Sequence, residues 1–537
     1  MSLKPFAEDK IRLPKQHRPM ITTNLFSFSL ITFSLTLLFL TTLHNDKLHQ
    51  NPEENQSAHH ESLQKHLSRR SSAKTPRWYQ VIARRTNGRK KLKVGRIRLT
   101  NTSSSAVENH EHLYGDTIEM IDIHVKQVSR DVKWAHLFPE WIDESLSECP
   151  HIPMPEFENY NDLDVVMADA PCGETVKTHI GRDFGHVLRL QINLAAANLL
   201  VKSGRRMWAV FVGSCGPMSE IFRCDDLMWH EGDSWIYKPD LWRLKQKVLM
   251  PVGSCQLAPP PFPDQLARNN RARREAYVTV LHSSQDYVCG ALALARSILD
   301  SNSTRDLVLL ADNSITPKSR LGLRAAGWKI RHINRIRNPH TQTETYNEWN
   351  YSKLRIWQLT DYDKLIFVDS DFLILKNTDE FFAHPQLSAA GNSRHLFNSG
   401  FMLVEPAVCT FRAFMRKRAE VASYNGGDQG FLNEVVTWWH RWPGKVNFLK
   451  DFGREEGMHE EIGDDVYALH YLGLKPWMCR GKERDCNWDV PENRRFASDK
   501  AHRMWWRVFE GMAEELRDLC VITPEMEGRM ELHIAKG

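Results

Sequence analysis

The first 148 residues contain no cysteine, and none of the ten that follow (Cys149, Cys172, Cys215, Cys224, Cys255, Cys289, Cys409, Cys479, Cys486 and Cys520) shows C-x-x-C spacing. That removes the common zinc modules. In an oxidising compartment some of the ten would pair, with a connectivity that spacing cannot supply. Charge of one sign is also scarce, since 71 Lys+Arg against 66 Asp+Glu leave +5 over 537 residues. A chain that tracks nucleic acid would carry clustered positive charge. The one basic run, "RRTNGRKKLKVGRIR" (84–98), reads as a solvated face, so no nucleic-acid partner is expected. Cys215 in "GSCGP" lacks the second glycine of a nucleophile elbow, which argues against a hydrolase. No convincing short-period repeat is present, although "VGSC" occurs at 212 and at 252.

Charge is missing altogether from "ITTNLFSFSLITFSLTLLFLTTL" (21–43). As a helix these residues span about 34 Å, enough for a bilayer core. A basic tail precedes them (1–20, with Lys4, Lys10, Arg12, Lys15 and Arg18 against two acids), and no signal-cleavage site is evident. The expected arrangement is a single-pass type II anchor with the bulk of the chain lumenal. Asn55, Asn101, Asn302 and Asn350 begin N-x-S/T sequons, candidate glycan sites in such a compartment.

What is present suits globular domains, with 42% hydrophobic and 26% charged residues. Residues 44–75 are too polar to bury a core and read as a stem. Between 76 and 260, short apolar runs ("DLDVVMADA", "RMWAVFVGSC") flank "RLQINLAAANLLVKS", which has helical spacing. This is an accessory α/β-like region. The proline cluster "LAPPPFPDQ" (257–265) marks a linker, bounded at 261–275. Beyond it strands and helices alternate: "AYVTVLHSS", "YVCGALALARSILDS", "DLVLLAD", a helix ending near Gly327, "YSKLRIWQLTDYD" as a helix, then "KLIFVDSD". Continuous apolar strands alternating with helices predict a parallel α/β sheet covered on both faces over 276–500. The segment 501–537 holds a helix packed on that core.

Such sheets gather ligands at the carboxyl ends of their strands. Asp369 and Asp371 follow five strand residues in "KLIFVDSDFLILKN". At i and i+2 both side chains point to one side and can reach a single hard cation. Uncompensated, two neighbouring carboxylates would pay for leaving water. Asp162 and Asp164 in "NDLDVV" also match D-x-D but precede their strand, and read as a cap or solvated turn. "HYLGLKPW" supplies His470, an imidazole that favours Mn²⁺ over Mg²⁺, and Lys475, a cation for a departing diphosphate. "FNSG" (397–400) and "NGGDQG" (425–430) are polar glycine turns suited to sugar hydroxyls.

Taken in order, "VTVLHSSQDYVCGALAL", "YSKLRIWQLTDYDKLIFVDSDFLILKN", "FNSGFMLVEP", "NGGDQGFLNEV" and "HYLGLKPW" resemble the glycogenin-like glycosyltransferases. That is a retaining family of GT-A fold using UDP-sugars and Mn²⁺. The anchor, the large preceding region and "NEWNYSKLRIWQLTDYDKLIFVDSD" resemble most the plant branch that adds glucuronic acid to xylan. The resemblance implies a GT-A domain behind an anchor, a stem and an accessory region, in the Golgi membrane. It implies UDP-glucuronate as donor, xylan as acceptor and association with other polysaccharide-synthesising enzymes. Asp369, Asp371 and His470 would hold Mn²⁺, with Mg²⁺ as substitute. Leu281, Ser283 and Tyr287 would line the uridine pocket. The donor would also be touched by Ser370, Asn398, Ser399, Gly400, Asn425, Gly426, Gly427, Asp428 and Gln429, and its diphosphate held by Gly473 and Lys475. Lys353, Asp428 and Gln429 are the implied catalytic residues. Ser370 departs from the commoner alanine, Asn425 stands where glycogenin has an acid, and the interval from His470 to Lys475 is one residue shorter.

The implied reaction is α-1,2 transfer with retention, by front-face attack or through Asp428 as a transient nucleophile; both routes stay open at this point. Lys353 and Arg355 are candidates for the glucuronate carboxylate. The competing expectations are a UDP-glucose or UDP-galactose transferase and a non-catalytic scaffold, against which stands the presence of Asp369, Asp371, His470 and Lys475 together.

Overall fold

The computed structural model describes residues 76–520 apart from 87–90, 101–116, 139–148, 173–183, 261–272, 393–395 and 454–461. The tail, the apolar segment 21–43, the stem, Asn55 and Asn101 lie outside the described residues. Among those described, no helix is long and apolar enough to cross a membrane.

Helix α1 (Arg77–Arg85) leads into a six-stranded sheet of β1 (Leu92–Thr100), β2 (Ile118–Lys126), β3 (Val165–Asp169), β4 (Trp208–Val212), β5 (Leu227–Glu231) and β6 (Ser234–Tyr237). Its order is β2-β1-β3-β4-β6-β5. The four strands β2-β1-β3-β4 are parallel, which requires crossovers, and α2 (Phe184–Ser203) supplies the one between β3 and β4. Helix α3 (Leu241–Val248) is capped by Asp240, whose side chain accepts the Trp242 and Arg243 N–H groups. The early D-x-D pair is a solvated turn. Asp162 is paired with the Lys93 ammonium, and Asp164 accepts the Lys93 backbone N–H at 3.1 Å. Within the basic run, Arg96 is bidentate on Asp122 (2.8 and 3.0 Å) and Lys91 lies beside Glu119.

The second sheet begins with β7 (Glu275–Leu281) and α4 (Val288–Asp300). It continues through β8 (Asp306–Ala311), α5 (Pro317–Ala325), β9 (Trp328–His332) and β10 (Lys364–Val368). The chain then crosses β11 (Phe372–Ile374) and returns through β12 (Ser388–Gly391) and β13 (Phe397–Val404). Helices α6 (Val408–Lys417) and α7 (Asp428–Val435) precede β14 (His440–Trp442). The order β14-β12-β13-β10-β7-β8-β9 places β10, β7, β8 and β9 parallel, with β13 antiparallel against β10. Every residue of β10 and β13 is buried, which explains the apolar runs 365–368 and 401–404; "FNSG" is the first half of β13 rather than a turn.

Three short strands form a separate sheet, with β11 antiparallel to β16 (Ala468–His470) and β15 (Phe448–Leu449) on the far side. Helix α8 (Asp499–Glu510) starts two residues before the expected segment because Ser498 caps it, accepting the Ala501 N–H at 3.1 Å. Cys520, just beyond, is bonded to Cys289 on α4.

The two large sheets share one core within a compact unit covering Ala73–Gly537. Phe138 stacks with Trp439, and the Cys224–Cys409 disulfide joins the region of β5 to α6. Arg223 and Glu405 make a 2.5 Å ion pair, both almost fully buried. Burial alone would raise the Glu405 carboxyl; Arg223, with Lys364 and Lys247, overrides it and holds the group down at about 2. All ten cysteines are paired: 149–255, 172–215, 224–409, 289–520 and 479–486.

Candidate active site

Strand β10 ends at Val368, and the next three residues turn from one sheet into another. Asp369 donates its N–H to the Gly400 carbonyl at 2.8 Å. Asp371 then precedes β11, whose Phe372 is in register with His470 on β16. This pairing is what brings a distant imidazole to the aspartates. The His470 ring lies on Phe372 at 4.1 Å, with Nε2 3.6 Å from Asp371 Oδ1.

Ligand atoms of Asp369, Asp371 and His470 all fall within 4.8 Å of one another. His470 Nδ1 is buried without a hydrogen-bond partner. Burial pushes the imidazole down to about 4, so it is neutral near pH 7, the form that ligates metals. Burial, with the neighbouring charges of Asp371 and Asp428, pushes Asp369 up to about 7 against the pull of Lys353. Burial also works to raise Asp371, but Lys475 and His470 keep it below the usual range. A Cβ at Gly400 would come to 2.9 Å from His470 Cε1 and 3.0 Å from Asp369 Oδ2. The space among the three side chains is therefore kept open by the absence of a side chain. An unpartnered neutral imidazole, two carboxylates and an open cradle fit a hard divalent cation.

Lys353 provides the second charge centre. Its Nζ lies 2.6 Å from Asp428 Oδ2 and 3.3 Å from Asp369 Oδ1, and donates to the Ser399 hydroxyl at 3.3 Å. Burial opposes its charge, but those two carboxylates hold it protonated far above the ordinary lysine range. Asp428 opens α7 and accepts the Ser399 hydroxyl at 2.9 Å, while Gln429 Oε1 accepts the Ser399 N–H at 3.1 Å. Asn398 turns its Oδ1 to the Gly400 N–H at 2.8 Å. The segment around Lys353 is a 3-10 helix, Asn350–Gln358, rather than the expected α-helix. Its i, i+3 repeat buries Tyr351, Leu354 and Trp357 together, and the Ser352 hydroxyl accepts the Ile336 N–H.

Lys475 reaches Asp371 Oδ2 at 2.7 Å and the Tyr471 carbonyl at 2.5 Å. Its loop turns at Gly473, with φ +73°, where a Cβ would stand 2.3 Å from Asn487 Oδ1. Leu281 closes β7, and Ser283 follows with φ +72°. Tyr287 precedes α4 and meets Trp477 edge-on at 5.8 Å. Burial raises the Tyr287 phenol, so it stays protonated.

The expectation for Arg355 changes, and the fold engages the side chains of Asn425 and Asn350. Asn425 Oδ1 accepts the Gly427 and Gly430 N–H groups (3.0 and 3.1 Å), so its oxygen shapes the turn that starts α7. Gly426, with φ +67°, and Gly427 belong to that turn, and Ser370 is buried between the aspartates. Arg355 is not brought to the site: it donates to the Asn334 carbonyl and Gln358 Oε1 and lies over Phe411. The Asn350 sequon is tied in as well, since Asn350 donates to Asn347 and Ser352 is fully buried.

Residues not anticipated complete the setting. Asp312, just after β8, accepts the Ser283 N–H at 3.4 Å and lies 3.2 Å from Arg335. Its place at the carboxyl end of a parallel strand was a readable signal. Asn487, Asp485 and Lys450 brace the Lys475 loop, and nothing in their local sequence marks them.

The chain matches the family described as GUX1-5 N-terminal domain over residues 68–255 and Glycosyl transferase family 8 over residues 278–385. It is 47% identical over 466 residues to UDP-glucuronate:xylan alpha-glucuronosyltransferase 2 of Arabidopsis thaliana, covering 82% of this chain and 76% of that one. Protein 4 of the same Arabidopsis series is 48% identical over 480 residues, 85% of each chain. Human Glycogenin-1 is 26% identical over 266 residues, 44% of this chain and 71% of its own.

Proposed function

The chain belongs to the UDP-glucuronate:xylan alpha-glucuronosyltransferase family and carries a glycosyl transferase family 8 domain; from that premise we propose that it transfers glucuronic acid from UDP-glucuronate to the 2-hydroxyl of xylan residues, with retention. The observation that carries the chemistry is the convergence of Asp369, Asp371 and His470 with Lys353 and Lys475 at the carboxyl end of β10.

Formal charge explains why a cation belongs there. With every carboxylate ionised, the state that ligates a metal, Asp369, Asp371 and Asp428 carry three negative charges against two positive on Lys353 and Lys475 and none on His470. That leaves one net negative charge, which a proton on Asp369, pushed up to about 7, relieves only in part. An anionic diphosphate would be repelled from such a cluster. Mn²⁺ held by Asp369, Asp371 and His470, or Mg²⁺ in its place, supplies two positive charges and Lewis-acid stabilisation of the leaving diphosphate. Lys475, now beside Asp371, is placed to follow the negative charge that develops on the departing UDP. Lys353 pairs with Asp428 and donates to the Ser399 hydroxyl, so the face of the sugar pocket is set before the donor binds. Gln429, bonded to the Ser399 N–H, does the same from the other side. Asp428 is engaged by a lysine at 2.6 Å, a pairing that lowers its nucleophilicity and favours front-face attack by the acceptor hydroxyl.

Of the two candidates for the glucuronate carboxylate, Lys353 is the one at the site, and it would have to share its ammonium between that carboxylate and Asp428 and Asp369. A lumenal, type II placement in the Golgi membrane completes the reading; it is supported by the uncharged segment 21–43 and by five disulfides in the described region. Incubating the full-length protein with UDP-glucuronate, UDP-glucose or UDP-galactose, each with xylohexaose and Mn²⁺, tests it. The expected product is an α-1,2-glucuronosylated oligosaccharide, identified by its anomeric proton coupling. Transfer of glucose or galactose in preference would replace the donor assignment.

A further inference from the structure

Aromatic residues make up 10% of the chain, yet among the described residues only two aromatic side chains are exposed: Tyr346 at 79% and Tyr424 at 48%. The fold otherwise keeps its rings covered, as the cost of wetting them requires. Both exceptions stand at the same place. Tyr346 lies on the loop before the 3-10 helix that carries Lys353, and Tyr424 on the turn before α7 that carries Asp428. Those two segments are joined, since Asn347 Nδ2 donates to the Asn425 carbonyl at 3.4 Å and Asn338 Nδ2 to the Gly426 carbonyl at 2.9 Å.

Neither ring is loose. The Tyr424 hydroxyl accepts from Gln429 Nε2 at 3.0 Å, and Gln429 in turn holds the Ser399 N–H. The Tyr346 side chain is hydrogen-bonded to Tyr287 at the nucleoside end of the site. Each exposed ring is thus anchored through its hydroxyl to a donor-pocket residue while its carbon face is left to solvent. Anchoring lowers the entropy lost when a ligand covers the ring, and this is how binding surfaces are preorganised. An uncharged chain of pyranose rings offers what such faces suit: flat C–H-lined surfaces to lie on an aromatic plane, with hydroxyls at the rim.

We propose that Tyr346 and Tyr424 form the platform on which the acceptor glycan, a β-linked xylose chain, stacks to present a hydroxyl beside Asp428 and Ser399. This inference rests on the acceptor assignment above and extends it by naming the residues that grip the chain.

The test is steady-state kinetics of the full-length protein with UDP-glucuronate and xylohexaose, comparing Tyr346→Ala, Tyr346→Phe, Tyr424→Ala and Tyr424→Phe with wild type. Each alanine variant should raise KM for xylohexaose roughly tenfold. KM for UDP-glucuronate and the unfolding temperature should hold near wild type, and each phenylalanine variant, which keeps the ring but loses its hydroxyl anchor, should recover most but not all of the acceptor KM. Wild-type transfer to xylohexaose with an unchanged acceptor KM in both alanine variants overturns the platform and leaves the proposed function standing. A donor KM that rises in step with the acceptor KM also overturns it, assigning the rings to the nucleotide instead. Failure of the wild-type protein itself to bind or glycosylate xylohexaose overturns the acceptor assignment, and the platform with it.

Discussion

Asn487 holds Leu474 by both of its backbone groups: Oδ1 accepts the Leu474 N–H at 2.8 Å and Nδ2 donates to the Leu474 carbonyl at 2.9 Å. The hold continues inward. Asp485 Oδ1 accepts from Asn487 Nδ2, and Asp485 Oδ2 takes the Lys450 ammonium at 2.5 Å, both residues being 1% exposed. Lys450 in turn donates its backbone N–H to the His470 carbonyl at 2.9 Å. A single polar chain therefore links the imidazole strand to the Lys475 loop, and the Cys479–Cys486 disulfide closes it.

Asn487→Leu should lower kcat for glucuronate transfer on the order of 100-fold, because a displacement near 1 Å at a positioned cation has that effect. KM for xylohexaose should stay near wild type, since the proposed role of Lys475 is toward the donor diphosphate and not the acceptor. An equal rise in acceptor KM would point to general loosening of the fold.

The carboxylate pair and imidazole should govern metal binding directly. Asp369→Ala and Asp371→Ala are expected to abolish Mn²⁺-dependent turnover, and chelation should do the same to wild type, reversibly. Gly400→Ala is the finer probe, since its methyl would enter the space between His470 and Asp369. Mn²⁺ titration followed by electron paramagnetic resonance should show weakened binding in a protein that still unfolds cooperatively. Full-strength binding in Gly400→Ala would place the metal elsewhere.

Lys353→Met removes the cation between Asp369 and Asp428 and leaves two carboxylates facing each other, Asp428 nearly buried and Asp369 partly exposed. Breaking a buried pair in this way costs about 3–5 kcal/mol, read as a lowered urea midpoint. Because Mn²⁺ would relieve part of that repulsion, the stabilisation on adding it should exceed that of wild type. An equal shift in both proteins would mean the ammonium and the metal do not share these carboxylates.

Acid should destabilise the fold through His384. Its Nε2 donates to the Pro259 carbonyl at 3.0 Å and its Nδ1 accepts from Trp442 Nε1 at 2.9 Å, which defines one neutral tautomer. Burial pushes the imidazole down to about 4, whereas in the unfolded chain it titrates near 6.5. Between those values the unfolded state binds the extra proton. This contribution to stability is therefore complete above pH 6.5 and is lost as pH falls toward 4. It amounts to roughly 3 kcal/mol if the whole shift is expressed. His384→Asn should unfold more readily at pH 7 but with a flatter dependence between pH 6.5 and 4.5 in urea titrations. An unaltered slope would assign the acid sensitivity to other buried histidines.

Much of the candidate site could be read before any coordinates because its parts are local. Asp369 and Asp371 are two residues apart at the end of an apolar run, and a strand's alternation alone puts both on one side. Lys353 and Arg355 were equally plausible partners for a carboxylate in the linear chain. The 3-10 helix separates them, sending one inward to Asp428 and the other to Asn334 and Gln358. Asn425 is a candidate sugar contact by position, and only the fold shows that its side-chain oxygen also completes the turn around it. Backbone N–H groups at the start of a helix need acceptors, and the nearest amide oxygen supplied one.

By itself the amino-acid order determined the strand-helix alternation, the place of the aspartates at a strand's carboxyl end and the order of the motifs. These follow from side-chain periodicity, which acts over a few residues. Only the tertiary structure decided that β11 pairs with β16 and so delivers His470 to Asp371. It likewise decided that Asn487 grips the Lys475 loop, that Arg223 and Glu405 tie the two sheets, and that two tyrosines stay uncovered beside the site. Such contacts join segments separated by tens to hundreds of residues. Their energies depend on burial and hydrogen-bond geometry that exist only once the whole core has closed.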